Sequence, residues 1–191
     1  MDFLILHGWQ NRRPADHWQH WLAGQLTGLG HHVDYPQLPD PDEPRLEAWL
    51  GELERLPARP GGRTVLCHSL GCLLWLHALD RGLPVAAGAE RVLLIAPPSP
   101  EVTAGIPEIA GFAPPTAVRP GPSVRLVAAD DDPYCPGGAL TAYAAPLGLD
   151  ADLVPGGAHL NPDSGYGPWP ALLAWCLDPP VRVTGRDRPG R

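Results

Sequence analysis

Lysine is missing from this chain: all 14 basic residues among its 191 are arginine. That removes a Schiff-base amine, a Ser–Lys dyad and a phosphate-loop lysine from the available chemistry. Charge is sparse, at 18% of residues, and sums to −7. An acidic surface repels phosphate backbones, so no nucleic-acid partner is expected. The four cysteines, Cys67, Cys72, Cys135 and Cys176, form no C-x-x-C pair, which argues against a zinc ribbon or a dithiol redox motif. With no disulfide pattern, the expected compartment is the reducing cytoplasm. No apolar run approaches the roughly 20 residues of a membrane span, and no membrane association is expected. The opening "MDFLILHGW" reads as a buried strand and not as a secretory signal.

Proline (26) and glycine (22) are abundant but follow no repeat, which points to many tight connections between apolar segments. The length suits one domain, drawn over 1–180, with 181–191 expected to fray. "FLIL" is a short apolar run of the kind that is buried on both faces. Asp16 stands three residues before Gln19 and is the expected N-cap of a helix carrying Trp18, Trp21, Leu22, Leu26 and Leu29. A short extended piece, "HHVDYP", follows. Leu46, Trp49, Leu50, Leu53 and Leu56 mark a second amphipathic helix. "TVLCHS" reads as a strand and 70–80 as a helix; "RVLLIAPP", "SVRLVAAD" and "ADLVPGG" are further strands. "GGALTAYAAPLG" is expected to be helical, as is the segment from Pro168 through Cys176. The proline-dense segment 97–122 reads as a surface excursion, either a cap over a site or a long connection.

Apolar strands thus alternate with amphipathic helices. The expected fold is a three-layer α/β/α sandwich around a mostly parallel central sheet, with no large lid domain. Ligands in such folds bind beyond the carboxyl ends of the strands. Those ends hold His7-Gly8-Trp9, His68-Ser69, Asp130-Asp131-Asp132 and Gly156-Gly157-Ala158-His159. A serine hydroxyl is a weak nucleophile that needs a base in reach, and the base needs an orienting acid. The chain order serine, aspartate, histidine is that of α/β-hydrolases.

The elbow that presents such a serine is usually G-x-S-x-G; here "CHSLG" places Cys67 where the first glycine stands. Cysteine is small and soft, so the steric logic survives. An oxyanion needs backbone donors, and the expected pair is the amides of Leu70, at a helix N-terminus, and Trp9, after the flexible Gly8. Strand alternation does not choose among the three aspartates. Asp132, biased to extended backbone by Pro133, is preferred, with Asp131 as the alternative.

"LILHGWQNRRPADHWQHWL", "VLCHSLGC", "DDPYCP" and "GGAHLNPDSGYGPWP" together resemble the small α/β-hydrolase family of retinoblastoma-binding protein nine, especially its bacterial YdeN-like members, over roughly residues 3–177. The resemblance implies a compact serine hydrolase with Ser69 as nucleophile, Asp132 as acid and His159 as base. Cys67 is the departure, since many members have glycine there. The expected activity is hydrolysis of small carboxylic esters or related acyl compounds, with no cofactor and no metal. Amidase, thioesterase and acyltransferase chemistry use the same machinery. The rival reading is a non-catalytic binding protein on the same fold.

Several residues carry plainer readings. A serine after a strand is often only a helix cap. The "DDD" run lacks the alternate spacing of a calcium loop. His17, His20, His31 and His32 are expected on the surface, and His7 is expected to shape its loop. Trp18, Trp21 and Trp49 read as core, while Trp9 and Trp169 are candidates to line an acyl pocket.

Overall fold

The computed structural model describes residues 1–57, 62–121, 123–178 and 180–186. Six strands form one sheet: β1 (Asp2–Leu6), β2 (His32–Asp34), β3 (Arg63–His68), β4 (Ala89–Ile95), β5 (Val124–Ala129) and β6 (Asp150–Val154). Their order is β2-β1-β3-β4-β5-β6, and every neighbouring pair is parallel. The chain steps outward from β1 to β2, then returns to the other side of β1 to lay down β3. The strand order therefore reverses between β1 and β3, which opens a crevice above their carboxyl ends.

The period of two along each strand divides the core between the two faces. On one face, Phe3, Ile5, Leu66, Leu93 and Val127 pack with Trp18, Leu22 and Leu26 of α1 (Trp18–Gly28) and Leu172, Trp175 and Cys176 of α7 (Pro170–Leu177). On the other, Leu4, Leu6, Val65, Cys67, Leu94 and Leu126 pack against Trp49, Leu50 and Leu53 of α2 (Leu46–Glu54) and the apolar length of α3 (Leu70–Asp80). Each fully buried leucine contributes about 1.5–3 kcal/mol relative to exposure. Short α4 (Pro84–Ala87) and α5 (Pro100–Gly105) complete the connections around β4. Among the described residues no helix is long and apolar enough to cross a membrane.

Three local expectations are corrected. The cap of α1 is His17, not Asp16: its Nδ1 accepts the Gln19 N–H at 3.1 Å, and the helix starts one residue later. The segment expected as one helix over 137–148 opens with a π turn, Leu140–Ala144, before α6 (Ala145–Leu147). Pro146 offers no N–H to the Ala142 carbonyl four residues back and its ring crowds that oxygen, so the α-helical ladder is interrupted between 142 and 146 and α6 restarts with the proline in its first turn. Fraying from 181 onward does not describe 181–186. Val183 is buried and its N–H donates to Asp152 at 2.9 Å, while the Thr184 carbonyl accepts from Trp169 Nε1 at 2.7 Å. Residues 187–191 lie outside the described residues.

Of the segment expected as an excursion, residues 97–121 are described and fold back as α5 and a 3-10 turn, Ala110–Phe112, whose Phe112 is fully buried against Trp49. Pro98 and Ile109 from this segment form part of the wall of the crevice.

Candidate active site

The turn from β3 into α3 is built on close approaches. A Cβ added at Gly71 would lie 2.7 Å from the His7 carbonyl oxygen and 2.9 Å from that of Leu6, so no larger residue fits between this helix and β1. A Cβ on Gly8 would come within 2.7 Å of Ser69 Cβ. Cys67, the departure from glycine, points into the buried core of β3 and has room there. Ser69 itself is held at φ 52°, ψ −125°, a conformation that costs a non-glycine residue about 1–3 kcal/mol. Its N–H donates to the Ile95 carbonyl at 2.9 Å and its carbonyl accepts from Cys72 N–H at 2.9 Å, which fixes the strained turn on both sides. Although Ser69 stands at the cap position of α3, its side chain makes no cap bond.

The hydroxyl is instead 2.9 Å from His159 Nε2, and His159 Nδ1 is 3.0 Å from both carboxylate oxygens of Asp132. A carboxylate accepts, so Nδ1 carries the proton and Nε2 is the nitrogen left to accept from Ser69. Asp132 is nearly buried and its Oδ1 also accepts the Tyr134 N–H at 2.9 Å. The other two aspartates hold the loop after β6: Asp130 accepts from Gly156 N–H at 2.8 Å and Asp131 from Ala158 N–H at 2.7 Å. His159 sits between two residues of positive φ, Ala158 at 46° and Leu160 at 50°, so the loop is bent sharply to present the ring.

Two buried histidines frame this arrangement. His68 Nε2–H donates to the His159 carbonyl at 3.0 Å, and its ring centroid lies 5.1 Å from that of His159. Burial holds His68 well below the usual imidazole range, in the neutral form. His7 accepts the Leu38 N–H on Nε2 at 2.9 Å and donates from Nδ1 to the Gly8 carbonyl at 2.8 Å; burial lowers its pKa to about 4. It thereby shapes the loop that carries Trp9. Neither the Trp9 nor the Leu70 amide meets an acceptor among the described residues, and both residues line the same cleft as Ser69 and His159.

The cleft measures about 370 Å³. Trp9 forms part of its wall, with its indole N–H on the Asp42 carbonyl at 2.9 Å. Trp169 does not: it is fully buried, edge-on to Trp18, and belongs to the core. Tyr134, whose ring centroid is 4.4 Å from that of His159, also lines the cleft, as do His17 and Asn161. None of the three is marked as a wall residue by the sequence pattern. Tyr134 and Asn161 stand two residues from Asp132 and His159, and that proximity was the available signal. His17 is buried and faces the cleft, contrary to the surface position expected of it; His20 is exposed.

Among the described residues, the side chains clustered closely enough to hold a metal are Asp2, His32 and Asp34, near the amino end of β1. The Arg63 guanidinium already spans their two carboxylates, at 2.6 Å each.

Comparison with known proteins adds the family. A family model described as serine hydrolase matches residues 3–176. The YdeN protein of Bacillus subtilis (strain 168) is 36% identical over 77 residues, a stretch amounting to 40% of this chain and 40% of that protein. The crystal structure of the B. subtilis ydeN gene product superposes with a TM-score of 0.71 at 24% identity, covering 92% of this chain and 96% of that one. A YdeN-like protein from Pectobacterium atrosepticum superposes at 0.73 with 19% identity, over 91% and 86% of the two chains. These structural likenesses establish the fold, an α/β-hydrolase sheet.

Proposed function

The chain belongs to the serine hydrolase family and is a hydrolase, and from that premise we propose that it cleaves small carboxylic esters or related acyl compounds through a Ser69–His159–Asp132 triad and an acyl-enzyme. The observation that carries this reading is the unbroken hydrogen-bonded line from Ser69 Oγ to His159 Nε2 at 2.9 Å and from Nδ1 to Asp132 at 3.0 Å. In it the Ser69 oxygen attacks the substrate carbonyl while His159 Nε2 takes the hydroxyl proton. Asp132 keeps the proton of the ring on Nδ1 and stabilises the imidazolium that forms. The oxyanion is received by the Trp9 and Leu70 amides, aided by the N-terminal dipole of α3. His159 then returns the proton to the leaving group. Water, deprotonated by the same ring, attacks the acyl-enzyme and frees Ser69.

The bonding of His68 to the His159 carbonyl supports this reading, because it holds the backbone of the base as Asp132 holds its ring. The test is labelling with a fluorophosphonate probe alongside hydrolysis of p-nitrophenyl butyrate. Wild type is expected to label once and turn over; Ser69→Ala is expected to do neither. Turnover near the wild-type level by Ser69→Ala would remove Ser69 as nucleophile. Absence of labelling and turnover in folded wild type would favour the non-catalytic binding protein.

A further inference from the structure

The N-terminus of α1 and the loop after His159 meet at the cleft: Trp18 Nε1–H donates to the Leu160 carbonyl at 2.9 Å and Trp18 N–H to the Tyr166 carbonyl at 3.2 Å. Each segment contributes one neutral polar side chain to the cleft, His17 and Asn161. Each of these also caps a helical turn, and the cap consumes its acceptor. His17 Nδ1 accepts the Gln19 N–H at 3.1 Å. A ring nitrogen that accepts bears no proton, so the neutral ring carries its proton on Nε2. Asn161 Oδ1 accepts the Ser164 N–H at 3.2 Å, at the start of the 3-10 turn Pro162–Ser164. A backbone N–H only donates, so the oxygen of Asn161 is fixed toward the turn and its NH2 group is the end left over.

Neither His17 Nε2 nor Asn161 Nδ2 meets an acceptor among the described residues. His17 is only 3% exposed, but its Nε2 is not among the fully buried atoms that lack a partner, so this N–H opens onto the cleft that His17 lines. Burial lowers its pKa to about 3, which keeps the ring neutral at ordinary pH. A donor that opens onto a cleft and whose orientation is fixed by a cap is preorganised to meet a substrate acceptor. Among the described residues the charged ones lining the cleft are Asp16 and Asp163, both acids, and no arginine lines it. An anionic acceptor would face those carboxylates with no cation to offset them.

We propose that His17 Nε2–H and the Asn161 amide form a donor pair for a neutral carbonyl oxygen of the substrate, distinct from the carbonyl that Ser69 attacks. The preferred substrates are then acyl compounds that carry an amide, ester or ketone oxygen besides the bond that is cut, and not a free carboxylate. This assignment rests on the reading of Ser69 as nucleophile.

The test compares kcat/KM for p-nitrophenyl heptanoate with its 4-oxo, 5-oxo and 6-oxo derivatives and with the mono-p-nitrophenyl ester of heptanedioic acid, each divided by its own rate of hydroxide hydrolysis. At least one oxo ester is expected to exceed the heptanoate by about tenfold or more, since a site built around donors discriminates against an analogue that leaves them unpaired. The carboxylate ester is expected to fall below the heptanoate. His17→Asp and Asn161→Asp each keep a capping oxygen and carry no N–H donor. Both should bring the oxo-to-heptanoate ratio toward one, and a ratio cancels any general loss from an altered fold. All oxo ratios near one in wild type, ratios unchanged in both variants, or preference for the carboxylate ester would each overturn the donor pair while leaving the Ser69 reading intact. If folded wild type turned over none of the esters, both readings would fall together.

Discussion

Adding one methyl group at Gly8 tests the close approach of the Trp9 loop to the Ser69 turn without substituting any member of the proposed triad. In Gly8→Ala the new carbon would lie 2.7 Å from Ser69 Cβ, 3.1 Å from the His68 carbonyl oxygen and 3.2 Å from the Leu70 nitrogen. The backbone of Gly8 lies outside the positive-φ region, so the effect is steric and not conformational. None of the three neighbours is the free end of a flexible side chain, and Ser69 is already held by Ile95 and Cys72. Overpacking of this kind costs about 1–3 kcal/mol. At about 2–4 °C per kcal/mol for a chain of this size, Tm should fall by about 2–12 °C. The functional loss should be larger. The methyl would push the loop carrying Trp9 away from Ser69 and stand against the Leu70 amide, and loss of one oxyanion donor costs about 2.7–4 kcal/mol, or 10²–10³ in kcat. The assay is kcat and KM on p-nitrophenyl butyrate at a temperature below both melting transitions. The control is Gly24→Ala on the exposed face of α1, where an added Cβ meets nothing within 4 Å. It should leave kcat unchanged and raise stability by about 0.5–1 kcal/mol. If folded Gly8→Ala kept kcat within threefold of wild type, the assignment of this close approach to oxyanion binding would be wrong.

Asp132→Asn should lower kcat by about 10⁴, because an amide in place of the carboxylate favours the wrong tautomer of His159. Asp131→Asn keeps an oxygen for the Ala158 N–H and should stay within about threefold; the reverse pattern would move the acid to Asp131. Cys67→Gly removes a fully buried side chain from β3 and should cost about 1–3 kcal/mol in urea unfolding, with turnover of the folded protein unchanged or raised. A large loss of kcat at unchanged fold would make the thiol part of the site. Stability should also depend on pH through the buried imidazoles. The folded-state pKa of His7 is lowered to about 4, that of His17 to about 3, and that of His68 well below its ordinary value, all chiefly by desolvation. The unfolded chain therefore binds these protons first: the stability is fully present above about pH 6.5 and is lost as pH falls toward 4. The slope is about 1.4 kcal/mol per pH unit for each histidine. Urea midpoints that stay level from pH 7 to pH 4.5 would refute it.

The strands were legible because each is an apolar run bounded by turn residues, and a strand buried on both faces needs little else to identify it. Helix ends were less so. The cap of α1 passed from Asp16 to His17 because the Tyr166 carbonyl, more than a hundred residues away, receives the Trp18 N–H. The helix expected over 137–148 opens instead with a π turn through the backbone chemistry of Pro146, a residue visible in the sequence near the end of that segment. Trp169 lies beside the His159 loop in sequence, yet the contacts with Trp18 and Thr184 that bury it come from other segments.

By itself the sequence determined a parallel α/β sheet and the order in which a serine, an aspartate run and a histidine follow its strands, since local apolar patterning and chain order carry both. Only the tertiary structure decided which aspartate faces His159, that Gly8 and Gly71 are where backbones nearly touch, and that His17 turns inward to the cleft. Those are distances between segments remote in sequence, and they are set by how the two faces of the sheet are packed.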